Sequence, residues 1–127
     1  MAAVLADSVT PVWEKALVDL VETDHRICDE VSLVPTLGHT PGHVSVRIVS
    51  RGEEALITGD FMHHPCQMAH PEWSSTADDD PDRAARTRRE VFGHLAGTTA
   101  LLIGTHFVAP TAGRVVRDGD AFRLAFA

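Results

Sequence analysis

Cysteine is scarce in this chain: only Cys28 and Cys66 occur among 127 residues. Two cysteines so far apart form neither a disulfide framework nor a Cys-x-x-Cys metal knuckle, and they point to a reducing, cytoplasmic setting. Long apolar runs are missing as well. No stretch approaches the roughly 20 residues of a membrane span, and the weakly apolar Met1–Ala6, with Asp7 close behind, is not the pattern of a secretory leader. Positive charge is in deficit, with 11 Lys and Arg against 18 Asp and Glu and a net charge of −7. The one basic cluster, Arg83, Arg86, Arg88 and Arg89, is offset by Asp78, Asp79, Asp80, Asp82 and Glu90 and reads as a solvated helix face rather than a phosphate site. Neither nucleic acid nor a membrane is therefore an expected partner. Repeats and low-complexity tracts are absent too. What is present, 44% hydrophobic and 23% charged residues, suits one domain with one modest core.

Local signals order the elements. Thr10-Pro11 resembles an N-cap followed by proline at the first helical position. Val12, Trp13, Ala16, Leu17, Leu20 and Val21 then share one face at helical spacing, which predicts a helix to about Val21. Val31–Val34 reads as a strand. Val44, Val46 and Ile48 alternate with Ser45, Arg47 and Val49, a strand with one drier face. Arg51–Glu54 is a turn and Ala55–Thr58 a short buried strand. Phe61–Ala77, with Pro65, Pro71 and three histidines, is a long loop of the kind that often carries function. Asp80-Pro81 opens a helix ending near Gly97, Leu101–Ile103 is a strand, and Asp118-Gly119 marks a hairpin within Val115–Phe122. Helices mixed with strands argue for an α/β layer, a sheet with helices on one face.

Three stretches carry the chemistry. They are Gly38-His39-Thr40-Pro41-Gly42-His43, Thr58-Gly59-Asp60 and Gly104-Thr105-His106. Each places a donor just past an apolar run, and two imidazoles with a carboxylate suit zinc, or iron or manganese. Taken singly, each has a plainer reading: His39 a turn histidine, Asp60 a cap, His106 a core histidine. His63, His64, Cys66 and His70 make the long loop rich in donors, with His63 and His64 readable either as substrate-pocket groups or as an incidental pair. His25 and His94 read as structural, Cys66 as a packing residue, and Trp73 as either a pocket wall or a core cap.

In order and spacing the three stretches resemble the C-terminal half of the metallo-β-lactamase fold hydrolases, with a lactonase and organophosphate-hydrolase look. Leu37 stands where that family usually has proline. The resemblance implies an αββα sandwich of two halves, of which this chain, as a single partial domain over 1–127, supplies the second: a mixed sheet with helices on one face. It implies that His39, Asp60 and His106 are metal ligands, that Asp60 is the catalytic carboxylate bridging two zinc ions, and that His43 braces its loop. The family's His-x-His-x-Asp-His segment, which supplies the other ligands, occurs nowhere in the sequence. Three of seven metal-binding side chains remain, so the resemblance implies at most one weakly held ion. The expected function is ester, lactone or phosphoester hydrolysis on a small-molecule substrate, present here as a truncated half that self-associates or needs a complementing N-terminal half. The competing expectation is a non-catalytic oligomerisation or binding module with a vestigial metal site.

Overall fold

Six strands form one mixed sheet in chain order: β1 (Val31–Pro35), β2 (Val44–Ser50), β3 (Glu53–Ile57), β4 (Leu101–Ile103), β5 (Ala112–Asp118) and β6 (Ala121–Phe126). This is a computed structural model that describes residues 2–126; Met1 and Ala127, the ends of the expected domain, lie outside them. All neighbours pair antiparallel except β3 and β4, which are parallel, with Ile57 opposite Ile103. Since β1 and β3 each run antiparallel to β2, the strands β1, β3 and β4 all point the same way. Their carboxyl ends, followed by the three donor-bearing motifs, therefore meet at one edge of the sheet, the usual place for a site in an open α/β sheet.

The turns follow local chemistry. Ser50 pairs with Glu53, so the β2–β3 turn is only Arg51-Gly52, both with positive φ (52° and 82°), and Glu53 and Glu54 belong to the strand rather than to the predicted turn. Gly119, at φ 60°, opens the β5–β6 turn.

The core lies between the sheet and the helix Pro81–Leu95. Leu56, Leu102, Val115, Phe122 and Leu124 from the strands meet Phe92 and Leu95 from that helix, with Phe61, Met62 and Met68 from the long loop. Asp80 caps the helix, its side chain accepting the Arg83 N–H at 2.9 Å. Strand register sorts the side chains onto two faces. Ser45, Leu56 and Leu102 face the helix and are buried, whereas Leu33, Val46, Ile57 and Ile103, opposite one another across β1–β4, line the other face and stay half-buried. The drier residues of β2 thus lie on the face that no helix covers, and its helix-side row carries Ser45 and Arg47.

The N-terminal helix differs from its prediction. Ala2–Val4 (α1) and Thr10–Glu14 (α2) are α-helical, joined by a π-helical turn at Leu5–Val9. Thr10 does not cap α2; its hydroxyl donates to the Leu5 carbonyl at 3.0 Å. The helix stops short of Val21, and Ala16 takes φ 52°. Trp13, Leu17 and Leu20 are exposed, and these turns pack mainly on one another. Helical spacing alone does not hold a short helix in water without a surface to bury its face. The remaining helices are α3 (Cys66–Ala69), inside the long loop, and α4 (Pro81–Leu95). Among the described residues no helix is long and apolar enough to cross a membrane.

Candidate metal centre

His39, Asp60 and His106 come together at the common strand edge. Asp60 Oδ1 accepts from His106 Nε2 at 2.7 Å, and Asp60 Oδ2 lies 3.5 Å from His39 Nε2. Thr58 ties the ends of β3 and β4 together: its hydroxyl oxygen accepts the Thr105 N–H at 3.1 Å while donating to the Gly59 carbonyl. Burial opposes charge on Asp60, but the His106 hydrogen bond and the nearby His39 and His63 outweigh it and hold its pKa below the ordinary carboxylate value.

His43 fixes the loop from behind. Its Nε2 accepts the Asp60 backbone N–H at 2.7 Å, so its proton sits on Nδ1, which donates to the Thr36 carbonyl at 3.0 Å. The Thr36 and Ser45 hydroxyls continue this buried chain, and Ser45 donates to the Thr58 carbonyl. Burial is the main cause of the lowered His43 pKa, in keeping with a ring that must stay neutral to accept from a backbone amide.

One donor atom from each of His39, Asp60 and His63 lies within 4.8 Å of the others. His63 stacks on His106 with ring centroids 5.0 Å apart. Its Nδ1 is buried and has no hydrogen-bond partner among the described residues. Burial, then the neighbouring His106, lowers its pKa. Two imidazoles, one of them carrying an orphaned buried ring nitrogen, and one carboxylate form a donor set that fits a divalent cation. His64 is exposed, its Nδ1 accepting the Cys66 N–H at 3.1 Å. Trp73 is also exposed, stacked on His70 at 4.1 Å, and with His63 and Cys66 it lines an open depression beside the centre. His25 and His94 are exposed.

Two residues read as solvated charges are instead buried parts of this centre. Asp78 is 1% exposed at its side chain; its Oδ1 accepts the His39 Nδ1 proton at 3.0 Å, which leaves the Nε2 lone pair of His39 turned toward Asp60. A carboxylate on the far nitrogen of a ligating imidazole is the usual way to fix its tautomer and raise its basicity. Arg88 is fully buried, donating to the Pro71 carbonyl at 2.7 Å, the Phe61 carbonyl at 3.0 Å and Ser74 Oγ at 3.1 Å, with Asp78 Oδ2 at 3.6 Å. Only the other three arginines of the cluster form a solvated face. A carboxylate placed between two turn serines and a helix cap gives no sequence signal of burial; the packing of the long loop against α4 creates it.

Gly38 seats the His39 loop on α4. Its φ is 131°, and a Cβ there would lie 2.3 Å from the Ala84 backbone nitrogen. The loop is also held by Asp80 N donating to the Gly38 carbonyl at 2.9 Å and by the Thr87 hydroxyl donating to the Leu37 carbonyl at 2.6 Å. Gly38→Ala must push backbone from backbone, and we expect it to lower stability by about 1–3 kcal/mol, read as a lower urea midpoint. An unchanged midpoint would show that the loop has another low-energy seat.

Known proteins share this fold. The family model described as the metallo-beta-lactamase superfamily matches residues 4–106. The crystal structure of hydrolase AbOPH in the beta lactamase superfamily is similar over 97% of this chain and 43% of its own, with a TM-score of 0.87 and 26% identity. AidC, a dizinc quorum-quenching lactonase in complex with a homoserine product, matches over 97% of this chain and 46% of its own, with a TM-score of 0.80 and 20% identity. An N-acyl homoserine lactone hydrolase with product bound at its catalytic metal centre matches over 74% and 40%, with a TM-score of 0.57 and 20% identity. The latter two show the fold alone. No curated protein matches significantly. The chain thus spans less than half the length of these solved structures. By its family match, its sheet and the placement of its three motifs, this chain belongs to the metallo-beta-lactamase superfamily.

Proposed function

We propose that this chain is the C-terminal half of a metal-dependent hydrolase that cleaves an ester, lactone or phosphoester. The observation that carries the reading is the convergence of His39, Asp60 and His63, with His106, at the carboxyl ends of parallel-running strands. Zinc suits the donors best, with iron or manganese as alternatives. When bound, such an ion lowers the pKa of water and polarises a carbonyl or phosphoryl oxygen. The chain's own contribution is positional. Asp78 turns His39 Nε2 inward, His43 holds the Asp60 backbone, and His106 keeps the Asp60 carboxylate ionised. The depression beside Trp73 offers room for the substrate's apolar part, in line with the N-acyl homoserine product held by AidC.

The test supplies the remaining ligands as a His-x-His-x-Asp-His half, fused or co-expressed. Zinc-dependent turnover of an N-acyl homoserine lactone, a carboxylic ester or a phosphotriester is expected, with little from the chain alone. Assembly that binds zinc yet hydrolyses none of the three would overturn the reading.

A second reading rests on the uncovered sheet face. Leu33, Val46, Ile57 and Ile103 form a contiguous half-buried apolar surface, the kind of face that can mark an interaction site. At about 25 cal/mol per Å² of apolar area, covering several hundred Å² favours association by several kcal/mol before ordering costs. As an oligomerisation module, the chain should sediment at micromolar concentration as dimers or larger species, and Val46→Lys with Ile57→Lys should shift it toward monomer. A monodisperse wild-type monomer would remove this reading.

A further inference from the structure

Resting on the metal-site reading, we infer that His63 is itself a metal ligand, so that the chain holds one ion with a three-residue set, His39, Asp60 and His63, of its own. The sequence motifs pair His39 and Asp60 with His106. The geometry pairs them differently. His106 is occupied by Asp60 Oδ1 at 2.7 Å and is half-exposed, while it is His63 that joins His39 and Asp60 within 4.8 Å.

Three further observations concern His63 alone. Its ring carries a buried nitrogen with no partner among the described residues, an arrangement that costs about 1–3 kcal/mol unless something occupies it. Its backbone is fixed: Gln67 Oε1 accepts the His63 N–H at 2.7 Å, and Gln67 Nε2 donates to the Trp73 carbonyl at 2.8 Å. Gln67 is itself buried, so the ring's approach to the centre is built rather than incidental. Its ring also neighbours those of both other histidines, tilted against His39 with centroids 5.4 Å apart and stacked on His106 at 5.0 Å. Clustering three imidazoles beside one carboxylate is unfavourable if they protonate and favourable if they share a cation. Three protein ligands and an open position are the complement of a catalytic zinc.

The experiment uses the full chain with Zn²⁺ for affinity and Co²⁺ as a visible-absorption probe of the ligand field. Wild type, His63→Ala, His63→Leu, Asp60→Ala and His94→Ala are compared, the last being an exposed histidine at the end of α4. His63→Ala is expected to weaken zinc binding by more than about a hundredfold, beyond the 10–100-fold typical of losing a supporting partner, and to change the cobalt bands. His94→Ala should change neither. In chelator, His63→Leu should unfold no earlier than wild type, because it removes an orphaned polar atom; this separates a lost ligand from a lost fold. Wild-type binding that survives His63→Ala with unchanged cobalt bands and less than a hundredfold loss overturns this inference and leaves the metal-site reading intact. Failure of the wild type to bind either ion overturns both.

Discussion

Arg88→Ala is expected to cost about 3–5 kcal/mol, the range for removing one partner of a buried ion pair. Arg88 is fully buried and its guanidinium satisfies two loop carbonyls, a serine hydroxyl and the Asp78 carboxylate. Burial lowers its pKa, with Asp78 beside it acting in the opposite direction, and a guanidinium stays charged in either case. Alanine leaves the Phe61 and Pro71 carbonyls without this donor and Asp78 without its cation. Asp78 would keep only the Ser75 N–H and His39. Against the roughly 5–15 kcal/mol by which a domain is stable, such a loss brings the chain near unfolding. Urea denaturation is the measurement, with an earlier midpoint and an unchanged slope expected. Arg83, Arg86 and Arg89 are exposed, and alanine at any of them should stay within about 0.5 kcal/mol. A shift for Arg88→Ala no larger than theirs would show that water replaces the guanidinium without penalty.

Asp60→Ala is expected to abolish stabilisation by zinc while scarcely changing the metal-free protein. Without metal, Asp60 has a partly exposed contact with His106 and a longer one with His39, with side-chain exposures of 40%, 46% and 14% for the aspartate and the two histidines. Pairs so open to solvent contribute about 0–1 kcal/mol. With metal the arithmetic changes. An ion that binds only the folded state at a hundred times its Kd adds about 2.7 kcal/mol. Thermal unfolding in zinc and in chelator should therefore separate widely for the wild type and coincide for the variant. An equal zinc-dependent shift in both would place the ion elsewhere.

Both predictions concern the same edge of the sheet, yet they differ in how visible they were in sequence. Asp60 and His106 follow short apolar runs of β-branched and aliphatic residues, and His39 lies within a glycine- and proline-marked string. Strand propensity and turn chemistry are local, so these positions announce themselves as strand ends. The helix start at Asp80-Pro81 and the turn at Gly119 are legible for the same reason. Arg88 and Asp78 are not. Along the chain they sit among arginines and aspartates that do face solvent, and nothing local separates the buried pair from its neighbours. The helix expected to reach Val21 errs in the opposite direction: its periodicity is real, but no described surface covers Trp13, Leu17 and Leu20.

By itself the sequence determined what its short-range chemistry could: the order of elements, the strand-end motifs, their donor types and the family those motifs resemble. Tertiary structure alone decided which donors meet. The parallel pairing of β3 with β4 brings Asp60 to His106 across 46 residues, and the packing of the long loop on α4 turns Asp78 onto His39 and His63 toward both. Such contacts depend on strand direction and on which face of a helix is buried. Those are properties of the whole layer, set by where apolar area can be removed from water, and no window of sequence contains them.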